Sequence, residues 1–204
     1  MTAVDFLSDL QKIPIPLFQT KDIAEMFGFS VDRASKYLEV LRQKHFLEKV
    51  SQGKWIIRNS DFDLLQVPEF LVAPNDSYIS LHTALFFHGM IEQIPTKTYS
   101  VTTDRSKVVK TSLGVFSFHH CALNLFTGFE YKKPYFKLAT PEKALVDYFY
   151  FAPSKSRQFA MLPELEIPKT FSWNKAYEFC KMIPSPRTRA LVYTKLRAIE
   201  AKNN

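Results

Sequence analysis

Between residues 17 and 58 the apolar positions change period. Ile23, Ala24 and Phe27 fall at helical spacing after Thr20, a candidate N-cap, and Gly28 closes that run. Ser30 caps a second run, starting at Val31, in which Ala34, Leu38 and Leu41 share one face at i, i+4 and i+7. Asp32, Lys36, Glu39 and Gln43 then point the opposite way, with Arg33 and Ser35 on the flanks. Two helices joined by a short glycine-containing turn predict a helix-turn-helix. From His45 to Arg58 two short strand-like runs flank Gln52-Gly53, a hairpin signal whose tip presents Gln52, Lys54 and Arg58. A first helix precedes them: Val4, Leu7 and Leu10, with Phe6 beside, form a stripe that Pro14 and Pro16 end. Helix, helix-turn-helix and hairpin in that order predict a winged helix over residues 1–70.

Asp61 to Asp76, with Pro68 and Pro74, shows little periodicity and reads as a linker. Residues 71–204 form a second predicted domain. It opens with SYISLHTALFFHGM, a helix capped by Ser80 and ended at Gly89. TYSVTTD, VVKTS, GVFSFHHCAL and EYKKPYFKLA follow as alternating or β-branched runs of strand character. ATPEKALVDYFYFAP returns to helical spacing, and two more helices are expected over Trp173–Met182 and Arg187–Lys202. Strands bracketed by helices predict an α+β chain: a winged helix-turn-helix, then a mixed α/β domain with C-terminal helices.

Composition narrows the class. The chain has 204 residues, 46% of them hydrophobic and 23% charged, the balance of an ordinary folded protein. No run reaches the length of a membrane span, and MTAVDFLSDLQK lacks the basic start and apolar centre of a signal peptide, so a cytoplasmic location is expected and no membrane partner. Cys121 and Cys180 are far apart, which indicates neither a disulfide framework nor a zinc knuckle. No phosphate-binding glycine loop and no G-x-S-x-G elbow occurs.

The net charge of +7 points to an anionic partner and is unevenly placed. Residues 1–70 hold nine Lys/Arg against ten Asp/Glu; residues 71–204 hold eighteen against ten. DNA binding is therefore argued from architecture. Ser30, Arg33, Ser35 and Lys36 lie where a recognition helix meets base edges, and Lys21, Arg42, Lys54 and Arg58 could meet phosphates. In the second domain Lys97, Arg105, Lys107 and Lys110, then Lys132, Lys133 and Lys137, suggest a basic surface for an acidic protein or further phosphates.

Two sets of residues imitate chemistry. His82 and His88 are six apart on one helix, and His119 and His120 are adjacent in a strand, so at best one from each pair converges and no metal is expected; His88 reads as a packed or capping residue. Within ATPEKALVDYFYFAP, Thr140 is an N-cap, Pro141 sits at the first helical position and Glu142 complements the helix dipole. Ala144, Leu145, Tyr148 and Phe151 make the expected buried face, and Glu142 and Asp147 point about 140° apart. Lys143 and Asp147 read as a weak pair across the flank, in the less favourable order. No catalytic residue and no cofactor is expected.

Taken together, YISLHTALFFHGMIEQIP (78–95), GVFSFHH (114–120), LFTGF (125–129) and ATPEKALVDYFYF (139–151) resemble the AbiEi-type antitoxin and transcriptional regulator family over residues 17 to 151, with the tail from 160 more loosely matched. The resemblance implies a type IV toxin-antitoxin setting in which the protein represses its own operon at inverted repeats, as a dimer or cooperatively, and counters a nucleotidyltransferase-like toxin without a stable complex. It implies Thr20, Ser30, Arg33 and Lys36 as operator readers and the basic strands as the antitoxin surface. Residues 17–58, with eight Lys/Arg against five Asp/Glu, are only weakly basic, which departs from a strongly basic DNA-binding pattern. Two rival classes stand beside it: a toxin-neutralising protein-interaction module without DNA binding, and a nuclease-like enzyme in the second domain.

Overall fold

The structure, a computed structural model, describes residues 3–10, 12, 16–58, 62–133, 136–152 and 164–203. Helix α1 (Ala3–Leu10) buries Phe6 and Leu10 completely. Strand β1 (Leu17–Gln19) leads into α2 (Thr20–Phe27) and α3 (Val31–Gln43), and β2 (Leu47–Ser51) and β3 (Lys54–Ile57) form a hairpin. The three strands make an antiparallel sheet in the order β1-β3-β2. Its side chains alternate as strand geometry requires. Phe18, Leu47 and Trp55 pack with Phe6, Ile23, Ala34, Leu38 and Leu41 of the helices, while Leu17, Val50 and Ile56 face the other way.

That second face is covered by the segment predicted as a linker. Asp63 accepts from Leu65 N to open a 3-10 turn over Leu64–Gln66, and α4 (Val67–Val72) follows with Pro68 in its first turn. Pro68, read as a breaker, is at a position where its missing N–H costs nothing. Val67, Leu71 and Val72 join Leu17, Val50 and Ile56 in one cluster with Phe116 and Phe118. The expected linker is thus a helix packed between two sheets; a six-residue element is too short to display a period.

The larger sheet contains β4 (Ser77–Ile79), β5 (Thr98–Thr102), β6 (Lys107–Thr111), β7 (Gly114–His120), β8 (Phe129–Lys132) and β9 (Phe136–Ala139), in the order β6-β7-β5-β4-β9-β8. It is mixed: β4/β9 and β5/β7 run parallel, the other pairs antiparallel. The chain is therefore α+β, as the alternation of elements predicts. Two boundaries differ from expectation. Ser77–Ile79 is a strand before the helix α5 (Leu81–Phe87), and EYKKPYFKLA is divided between β8 and β9.

Helix α6 (Pro141–Phe151) packs against α5, α7 (Trp173–Lys181) and α8 (Pro186–Asn203). Every residue from Glu142 to Phe149 is buried, on all sides of the helix. Gly128 allows the close approach beside it: its φ is +78°, and a Cβ there would lie 2.7 Å from Phe179 Cζ and 2.9 Å from Lys143 Cγ. Among the described residues no helix is long and apolar enough to cross a membrane.

Candidate nucleic-acid interface

The turn between α2 and α3 is set by its backbone. Gly28 takes the left-handed conformation (φ 63°), its N–H reaches Glu25 O, and Phe29 N donates to Ala24 O at 2.8 Å, the paired bonds of a Schellman ending. Ser30 Oγ then accepts from Arg33 N at 3.2 Å, as an N-cap should. Phe6 of α1 lies against Phe27, Phe29 and Tyr37 at ring separations of 4.9, 6.1 and 5.2 Å, which fixes the crossing of the two helices. The Arg33 guanidinium rests 4.4 Å from the Phe29 ring centroid. With Ala34, Leu38 and Leu41 buried, Ser30, Asp32, Arg33, Ser35 and Lys36 are exposed together at the start of α3.

Several predicted contact residues stand elsewhere. Thr20 is not the N-cap of α2; Gln19 occupies that position, with its N–H donating to Asp22. The Thr20 hydroxyl is buried, accepts from Trp55 Nε1 at 2.8 Å and reaches Gly53 O at 3.4 Å, so it joins α2 to the hairpin instead of facing a ligand. Lys54 turns away from solvent and donates to Phe70 O and Leu71 O of α4 at 2.5 and 2.9 Å. Lys21 is exposed at the start of α2. Arg42 pairs with Glu39, an exposed contact that holds the Glu39 carboxyl below its ordinary value. Arg58 Nη1 lies 3.3 Å from His45 Nδ1.

The basic residues of the second half do not form one surface. Arg105, Lys107 and Lys110 belong to the β6 edge of the large sheet, Lys132 and Lys133 to the β8 edge, with four strands between. Lys97 is half-buried just before β5. Lys107 pairs with Asp104 and Lys132 with Glu130. Lys137 is 6% exposed and lies 2.7 Å from both Glu69 and Asp76, which removes it from any solvent-facing patch.

The charged residues of α6 are the largest departure from expectation. Lys143 and Asp147 are each 3% exposed and form an ion pair inside the core, not across a flank. Asp147 Oδ2 also accepts from Tyr78 OH at 2.9 Å and Ser80 Oγ at 2.8 Å; Ser80 holds the N-cap position of α5, as expected, but its hydroxyl donates here and makes no capping bond. Burial, then the Asp147 carboxylate, pushes the Tyr78 phenol well up, and burial followed by Asp147 raises the Cys121 thiol to about 11. Glu142 points elsewhere and accepts from Ser172 N at the start of α7, so the divergence of Glu142 and Asp147 holds. No sequence signal exposes this cluster, because Tyr78 and Asp147 are 69 residues apart.

Of the histidines, His88 bonds Ala139 O at 2.7 Å, in keeping with a packed residue. His82 and His119 flank the Tyr99 ring at 4.9 and 6.1 Å; burial lowers both, His119 to about 4. Among the described residues no group of three or more His, Cys, Asp or Glu side chains could hold a metal. No protein-family model and no curated protein matches the sequence.

Proposed function

We propose that the chain is a DNA-binding transcriptional regulator of the AbiEi antitoxin type, a winged helix-turn-helix carried on an antitoxin domain, cytoplasmic and non-enzymatic. The observation that carries the reading is the uncovered start of α3, where Ser30, Arg33, Ser35 and Lys36 lie together in a unit ordered helix, strand, helix, glycine turn, helix, hairpin. In winged helices the second helix of the pair enters the major groove with its N-terminal residues at base edges, and cations nearby hold phosphates. Lys21 and Arg58, both exposed, fit the phosphate role. Asp32 and Glu39 on the same helix weaken purely electrostatic binding, so affinity depends on a matching sequence. The burial of Lys143, Asp147 and Glu142 supports the non-enzymatic reading, since substrate cannot reach them.

The antitoxin role rests on the resemblance carried by residues 78–95, 114–120, 125–129 and 139–151. Its counterpart would be a nucleotidyltransferase-like toxin, and its operator an inverted repeat bound by a dimer or cooperatively. Titration of the protein's own upstream DNA at several salt concentrations tests the regulator. Specific binding is expected, with Lys21→Ala, at a phosphate position, lowering the slope of log K against log salt by about 0.9, and Arg33→Ala and Lys36→Ala relaxing base preference. Binding that ignores sequence would sink this reading. Co-expression with a neighbouring nucleotidyltransferase-like gene tests the antitoxin role, and growth that is not restored would remove it.

A further inference from the structure

We propose that Lys54 is a positioning residue and not a phosphate ligand: it latches the hairpin to α4, so that the six-stranded half of the molecule sets how the hairpin meets DNA. The inference rests on the DNA-binding reading above and adds a route by which the second half controls it.

The Lys54 ammonium lies between two carbonyls of the last turn of α4, which have no partner within a helix and favour a cation. The Phe70 ring stands 5.1 Å away on the same helix. Burial, then the nearby charges of Lys107 and Lys21, lower the pKa of Lys54. Two of its three N–H donors are thus held by protein oxygens, which point the ammonium toward α4.

The contacts continue on both sides. Gly53, next in the chain, accepts at its carbonyl from Thr20 N at 2.9 Å, tying the hairpin turn to the start of α2. Leu17, Val50 and Ile56 press the hairpin sheet onto Val67, Leu71 and Val72. Behind α4, Lys137 of β9 holds Glu69, and Phe116 and Phe118 of β7 pack under the same cluster. An unbroken series of packed and hydrogen-bonded groups thus runs from β9 through α4 and Lys54 to α2. A partner that shifts the second half would alter operator affinity through α4 without touching DNA.

The test compares the full-length chain with Lys54→Met and with Leu71→Ala, which loosens α4 from the other side. On operator DNA each variant is expected to bind about tenfold more weakly, with the slope of log K against log salt unchanged. Without DNA, amide exchange is expected to speed up across Val67–Val72 and Lys54–Ile57 and to stay unchanged in α6. A slope lower by about 0.9 for Lys54→Met would show a phosphate contact and overturn the proposal. Exchange unchanged in both variants would overturn it as well, whatever happens on DNA, and so would full operator affinity in both. A wild-type chain with no specific binding would sink the DNA-binding reading, while the exchange arm still decides the latch.

Discussion

Helices α3 and α6 begin alike and finish in opposite surroundings. Ser30 accepts from Arg33 N at the start of one, and Thr140 accepts from Lys143 N at the start of the other. Each carries an acid in its first turn, Asp32 and Glu142, and each places a lysine within the next two turns of its cap. In α3 the charges remain on the exposed side and only Ala34, Leu38 and Leu41 are buried. In α6 Glu142, Lys143 and Asp147 are buried with their apolar neighbours, because α5, α7, α8 and β9 leave no solvent face. Charge on a helix therefore marks an outer face only when the helix has one, and the meaning of Lys-Asp spacing is decided by what packs around it.

The largest effect should separate the two helices directly. Asp147→Leu leaves the Lys143 ammonium buried without its carboxylate and takes the acceptor from Tyr78 and Ser80. A loss of about 3–5 kcal/mol is expected in urea unfolding. Asp32→Leu on the exposed side of α3 should change stability by less than about 0.5 kcal/mol. The double variant Lys143→Met/Asp147→Leu should recover the part of the loss that comes from the unpaired ammonium, while the Tyr78 and Ser80 hydroxyls stay without their acceptor, so the recovery is partial. Equal, small effects at Asp32 and Asp147 would remove the distinction.

Proton uptake sharpens the same contrast at the edge of the α6 core. The His119 ring lies 5.3 Å from that of Phe151, and burial, then His82, hold it at about 4. In the unfolded chain a histidine titrates near ~6.5, so as pH falls below that value the unfolded state takes up a proton the folded state refuses. The contribution is complete above ~6.5, drains away down to the folded value of about 4, and is constant below it. Wild type should lose about 3 kcal/mol over that window beyond the loss seen in His119→Phe, measured by urea unfolding across the range. Parallel curves for the two proteins would show that His119 is not held neutral by the fold.

The sequence is legible where a helix has one dry side, and illegible where contact comes from afar. Ala34, Leu38 and Leu41, the Gly28 turn and the Gln52-Gly53 hairpin follow from local spacing and turn chemistry. The partners of Asp147, the carbonyls that hold Lys54 and the acids around Lys137 are brought in by the topology of two sheets. The candidate interface was half readable for the same reason. Arg33, Ser35 and Lys36 belong to α3 itself, whereas Thr20 and Lys54 owe their positions to Trp55 and α4.

The smallest effect tests whether the common start of the two helices is common in energy as well. Ser30→Ala removes an exposed cap, and the freed Arg33 N–H can turn to water, which places the cost at the low end of capping effects, about 0.5–1 kcal/mol. Thr140→Ala frees the N–H of Lys143, a residue only 3% exposed and with little water near it, so the cost should reach about 1–2 kcal/mol. Thermal unfolding of the two variants should therefore differ, with Thr140→Ala the lower in Tm. If Ser30→Ala melts first, burial does not govern the worth of these caps, and α3 is held more by its own N-terminus than by the packing of Ala34, Leu38 and Leu41.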